Sequence, residues 1–200
     1  MKRFFIGLDL AMVQDFTALC LVEMVQFSEL IYHHVRYLMR FPLGTLYPVI
    51  IEDIKQLLET PELKNEKNKV KLLVDATGAG RPVVDMLRAA KLRPSPVIIT
   101  AGNVATYEHG FWHVPKRDLV STLQVLLQTG RLKFAEEIPE TQTLIDELLA
   151  FQVKISTDGR DTYGNDWRQN PHDDMVLALA LACWYGERKK VVKFYHGLVK

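Results

Sequence analysis

Net charge is almost missing from this chain: 25 Lys and Arg stand against 24 Asp and Glu, leaving +1 over 200 residues. That balance excludes nucleic-acid or membrane binding by overall charge, so any such contact must come from local patches. Cysteine is scarce too. Cys20 and Cys183 lie apart in apolar segments, too few for a disulfide framework or a zinc cluster, and read as buried free thiols of a reducing compartment. No apolar run is long enough to span a bilayer. The start MKRFFIGLDLA turns acidic at Asp9 before a signal segment could form, so it reads as a strand. Neither a G-x-G-x-x-G fingerprint nor a G-x-x-x-x-G-K-[ST] phosphate loop occurs, and ATGAGRPVV completes neither. Repeats and linkers are missing as well. With 48% hydrophobic residues, what remains is one domain with a substantial core.

Acids placed where apolar runs end are what the chain does have. Asp9 closes FFIGLD and Asp75 closes VKLLVD; Asp173 and Asp174 open the apolar run DDMVLALALACWYG. A charge at such a place is costly to bury unless it is paired or holds a metal. Each acid also has a structural reading. Asp9 and Asp75 could cap the turns that follow them, and a first helical turn favours acids such as Asp173 and Asp174, with Asn170 as cap and Pro171 at the first helical position. Two consecutive acids beside His172 exceed what capping requires. Three acidic positions from distant segments suit a site for two divalent cations, Mg²⁺ or Mn²⁺ by the all-oxygen donor set, and point to a metal-dependent phosphodiesterase.

Hydrophobic spacing predicts strands over 3–10, 17–25, 30–38, 70–75, 96–100 and 132–134. Helices are predicted over 43–58, 82–90, 114–129, 137–151 and 171–187. The stretch 154–170 reads as a long loop or exposed hairpin, and 188–200 as a basic tail after a domain of residues 1–187. The order implies an α/β fold: a mixed central sheet whose first three strands are antiparallel and later strands parallel, flanked by helices. If the first strand lies parallel to the strand ending at Asp75, Asp9 and Asp75 meet at the carboxyl ends of neighbouring strands, at a switch-point crevice. Lys116, Arg117, Arg160 and Arg168 are candidate phosphate contacts, placed at a helix start and in a polar loop. His172 could position a phosphate, protonate a leaving group or hydrogen-bond the start of its helix.

In order, the segments GLDLAMVQDFTALCLV, RFPLGTLYPVIIEDIKQLL, LLVDATGAGRPVVDML, VPKRDLVSTLQVLLQTGRLKF and HDDMVLALALA resemble the C-terminal nuclease domain of the large terminase subunits of tailed bacteriophages. The resemblance runs from about residue 3 to residue 187 and rests most on VDATGAG together with HDDMVLALA. It implies a ribonuclease H-like fold and endonucleolytic cleavage of double-stranded DNA with two Mg²⁺ or Mn²⁺ ions. Asp9, Asp75, Asp173 and Asp174 fall on the family's acids. It further implies an ATPase motor domain, a small terminase subunit and a portal as partners, in the cytoplasm of a bacterial host. No Walker motif is present, so the resemblance covers the cutting half alone. A junction-resolving nuclease of the same fold and a catalytically silent docking module are the alternatives.

Overall fold

The computed structural model of the protein describes residues 2–10, 15–77, 80–135, 137–155, 161–165 and 172–197, with backbone alone at 152–155, 161–165 and 189–197. Strand β1 (Lys2–Asp9) pairs antiparallel with β2 (Ala18–Phe27), which turns back into β3 (Leu30–Arg40). Helix α1 (Tyr47–Leu58) and the short α2 (Pro61–Lys64) lead to β4 (Val70–Asp75), parallel to β1. Helix α3 (Gly80–Ala89) crosses to β5 (Pro94–Thr100), again parallel. Strands β6 (Thr106–Glu108) and β7 (Phe111–Pro115) form a hairpin at one edge, and β7 lies parallel to β5. Helix α4 (Lys116–Gln128) returns the chain to β8 (Leu132–Phe134), which pairs parallel with β3 at the other edge. Then come α5 (Thr141–Ala150), the separate hairpin β9 (Phe151–Ile155) and β10 (Asp161–Asn165), and α6 (Asp174–Gly197). The sheet order is β6-β7-β5-β4-β1-β2-β3-β8.

The mixed sheet therefore has the expected antiparallel first three strands and parallel later ones, save β6, which runs antiparallel to β7, and the hairpin of β9 and β10 overlaps the stretch 154–170 that reads as a long loop or exposed hairpin. Two differences have physical causes. The β6–β7 hairpin lies between the predicted strand 96–100 and helix 114–129, where no strand is predicted. His109 and Gly110 both take positive φ (51° and 84°), the two-residue turn that matches strand twist. Helix α6 reaches Gly197 instead of stopping near Glu187, because RKKVVKFYH holds no proline or glycine to end it. The expected cap Asn170 and first helical Pro171 lie outside the described residues.

Alternation along the strands sorts the core into two layers. Leu8, Leu19, Leu72 and Val74 face α1 and α3, with Ile50, Ile54, Val84 and Leu87 opposite them. Phe5, Cys20, Leu73 and Val97 face α4, α5 and above all α6. Met175 through Trp184 are all buried, as a helix apolar on every side requires. That helix rests directly on β1. A Cβ added at Gly7 would collide with the carbonyl of Ala178, so only glycine allows this approach. Among the described residues no helix is long and apolar enough to cross a membrane.

Candidate active site

Asp9 and Asp75 share the sheet face that α6 covers. Phe5, Gly7 and Asp9 alternate onto it from β1, as Leu73 and Asp75 do from β4. The parallel register that sets Leu8 opposite Val74 carries Asp9 to the side of Asp75. Asp75 is buried, and its Oδ1 accepts the Thr77 N–H at 2.8 Å. The Thr77 hydroxyl in turn accepts the Ile99 N–H at 2.9 Å, tying the turn to β5. The turn-capping reading of Asp75 thus holds together with the cluster reading, since one oxygen caps while the side chain faces Asp9.

The doublet arrives from above. The Asp173 carbonyl accepts the Leu177 N–H at 2.9 Å, which makes Asp173 the N-cap of α6 and Asp174 its first helical residue. Burial, reinforced by the charges of Asp75, Asp173 and Asp174 and by a hydrogen bond with Asp75, holds the Asp9 carboxyl well above the usual carboxylate range. The other three predicted aspartates are therefore each within electrostatic reach of Asp9. Lys116, first in α4, sets its Nζ 3.1 Å from Asp173 Oδ2 and lies 5.8 Å from the Phe151 ring. Among the described residues, two bases, Lys116 and Arg40, face a larger number of acids, and the surplus negative charge is what a divalent cation would neutralise.

The other predicted contacts divide. Arg117 donates to the Asn103 carbonyl at 2.5 Å and pairs with Asp118 at 3.7 Å. Arg160 and Arg168 lie outside the described residues. His172 Nδ1 meets Asp15 Oδ1 at 3.1 Å, and its ring packs edge-on against Phe16 with centroids 4.8 Å apart. Among the described residues, the side chains close enough to share a cation are Asp15, His172 and Asp174, which can bring one ligand atom each within 4.8 Å of one another; Asp9, Asp75 and Asp173 do not reach that spacing as a set.

Three residues of this neighbourhood escape the sequence reading. Asp15 falls between the predicted strands 3–10 and 17–25, although an acid six places after Asp9 in the connection leaving the same strand is a visible signal. Arg40 ends β3 and grips Asp174, with Nε to Oδ2 at 2.9 Å and Nη2 to Oδ1 at 3.2 Å, and also pairs with Glu147. Glu147 is a buried acid of α5 whose Oε2 accepts the Met175 and Val176 N–H groups at 3.1 and 3.3 Å. It satisfies the free amides of α6 from another helix. Burial pushes the Asp174 carboxyl up; Arg40 pulls it back, Asp15 adds to the rise, and the net direction is upward.

A sequence profile of the terminase RNaseH-like domain matches residues 6–185. The chain belongs to that family. Comparison with curated protein sequences found no match. Among solved structures, the large terminase nuclease of thermophilic phage G20c superposes with a TM-score of 0.65 at 20% identity, covering 90% of this chain and 81% of that one. The same nuclease with bound magnesium gives 0.63 at 21% identity, over 90% of this chain and 80% of that one. A mutant nuclease domain of the large terminase subunit gp2 of bacterial virus Sf6, holding manganese and beta-thujaplicinol, gives 0.61 at 16% identity over 90% and 87%. Against a large terminase from another thermophilic bacteriophage the match covers 90% of this chain but 39% of that one, at 13% identity and a TM-score of 0.62. The ribonuclease H-like terminase nuclease fold is thus established for this protein. The comparisons favour neither the junction-resolving nor the docking reading.

Proposed function

We propose that this terminase-family domain is a divalent-metal-dependent endonuclease that hydrolyses phosphodiester bonds of double-stranded DNA during viral genome packaging. The observation that carries the reading is the meeting of Asp9 and Asp75, at the carboxyl ends of adjacent parallel strands, with the acids that start α6. Carboxylates crowded enough to hold one another's protons suit hard cations with oxygen ligands, Mg²⁺ or Mn²⁺, and magnesium- and manganese-bound relatives support that choice. Asp9, Asp75 and the Asp173–Asp174 pair would hold two such ions. Bound there, the ions supply an activated water and neutralise charge on the departing oxygen.

The residues of the chain have separate tasks around that chemistry. Asp75 is kept in orientation by Thr77, and Asp9 faces both neighbours from the middle of the sheet. Lys116 holds Asp173 and brings positive charge to the rim, where a DNA phosphate would sit. Arg117, Arg160 and Arg168 are the remaining proposed contacts to the duplex backbone. The biological setting that fits is the cytoplasm of a bacterial host, alongside an ATPase motor domain, a small terminase subunit and a portal.

Nicking of supercoiled plasmid in Mg²⁺ or Mn²⁺ tests the proposal. The expected result is metal-dependent cutting that Asp9→Asn and Asp75→Asn each abolish while circular dichroism stays unchanged. Undiminished nicking by both folded variants would sink it.

A further inference from the structure

Arg40 stands on the same row of the sheet as the acids. The strand registers pair Asp9 with Ala18 and Ala18 with Arg40, so the three side chains rise from one face across β1, β2 and β3. The small methyl of Ala18 leaves the guanidinium room to lie over the sheet toward α6. There it is held on every side. Its fork takes both oxygens of Asp174, it pairs with Glu147, and its centre lies 5.0 Å from the Phe16 ring centroid. Glu147 meanwhile holds the amides of Met175 and Val176. The first turn of α6 is therefore fastened from β3 and α5 together.

The two members of the doublet differ accordingly. Asp174 is 3% exposed and has both oxygens engaged by a bidentate arginine, the strongest carboxylate partner a side chain can offer. A cation placed on those oxygens would sit against a fixed positive charge. Asp173 is half-buried and, among the described residues, is held through Oδ2 by Lys116. We infer that Arg40 is a positioning residue: by engaging Asp174 and anchoring the start of α6, it leaves Asp173 as the one member of the doublet that ligates metal with Asp9 and Asp75. The inference rests on the metal-site reading above and decides which acid carries it.

Calorimetric titration of the 200-residue chain with Mn²⁺, without DNA, tests this beside metal-free melting curves. Asp173→Asn should remove the binding isotherm shared with Asp9 and Asp75 without lowering the metal-free melting temperature. Asp174→Asn should keep most Mn²⁺ affinity, because the amide oxygen it leaves still accepts a hydrogen bond from Arg40. Arg40→Gln should lower Mn²⁺ affinity about 10–100-fold, the usual effect of losing a residue that orients a ligand. Arg40→Lys, which keeps the charge but loses the fork, should recover only part of it. Equal loss of Mn²⁺ in Asp173→Asn and Asp174→Asn would overturn the inference and assign Asp174 to the metal, in company with Asp15 and His172. Unchanged affinity in folded Arg40→Gln and Arg40→Lys would overturn it too. A wild-type chain that binds no Mn²⁺ would remove the metal-site reading itself, a separate outcome from a wrong choice between the two acids.

Discussion

Gly7→Ala is the smallest change that tests how the fold makes the site. The added methyl would overlap the Ala178 carbonyl, which is backbone and cannot rotate aside. Either β1, central in an eight-stranded sheet, or α6, buried from Met175 to Trp184, must move. Overpacking of this kind costs about 1–3 kcal/mol, and a collision between two fixed main chains belongs at the upper end. For a chain of this size, about 3 kcal/mol corresponds to a fall in melting temperature of roughly 6–12 °C. The functional loss should be larger than that suggests. Ala178 lies about 7.5 Å along the helix from Asp173, so lifting α6 at Gly7 lifts the helix start from Asp9. A displacement of about 1 Å is enough to cost around a hundredfold in rate. Differential scanning calorimetry and plasmid nicking measure the two effects. Gly102→Ala, an exposed position whose nearest obstacle is the Thr100 hydroxyl at 3.3 Å, is the control and should stay within about 0.5 kcal/mol of wild type. A Gly7→Ala protein that melts and cuts like wild type would refute the direct helix-on-strand contact.

Two further predictions concern ionisation. Burial and the charges of Asp75, Asp173 and Asp174 raise the Asp9 carboxyl, so the native metal-free protein binds more protons there than the unfolded chain does. Its contribution to stability is present below the ordinary carboxylate range and is lost as pH rises toward the raised folded value. The metal-free melting-temperature advantage of Asp9→Asn over wild type should therefore widen from about pH 4 to about pH 8. A gap independent of pH would contradict the clustered acids. Burial also pushes the Cys20 and Cys183 thiols up, so neither should be alkylated by iodoacetamide at about pH 8 until the protein is denatured. Rapid labelling of the native protein, read by mass spectrometry, would contradict that packing.

The sequence made Asp9 and Asp75 legible because a charge that closes a buried apolar strand needs a reason, and the parallel pairing of β1 and β4 supplies it. The burial of α6 was legible from its apolar residues on every side. Arg40 and Glu147 were not. Arg40 looks like any basic residue closing a strand, and Glu147 like any acid in an amphipathic helix. Their pairing depends on where α5 and α6 cross β3, which no local pattern encodes. Capping of α6 escaped for the same reason: local rules look for the cap in the residues just before a helix, and here a carboxylate from another helix takes part. The β6–β7 turn carried a weak signal in Gly110, hidden by a histidine where asparagine or aspartate is the usual partner.

The three positions that meet over the sheet are also ordered in time. Synthesis delivers Asp9 first, Asp75 next and Asp173 only after both, on the helix that must dock against a finished β1. An incomplete copy thus carries strand-end acids with nothing above them. If the centre cuts DNA, partly made or truncated copies are harmless to the genome around them, and completing the fold is the step that arms the nuclease.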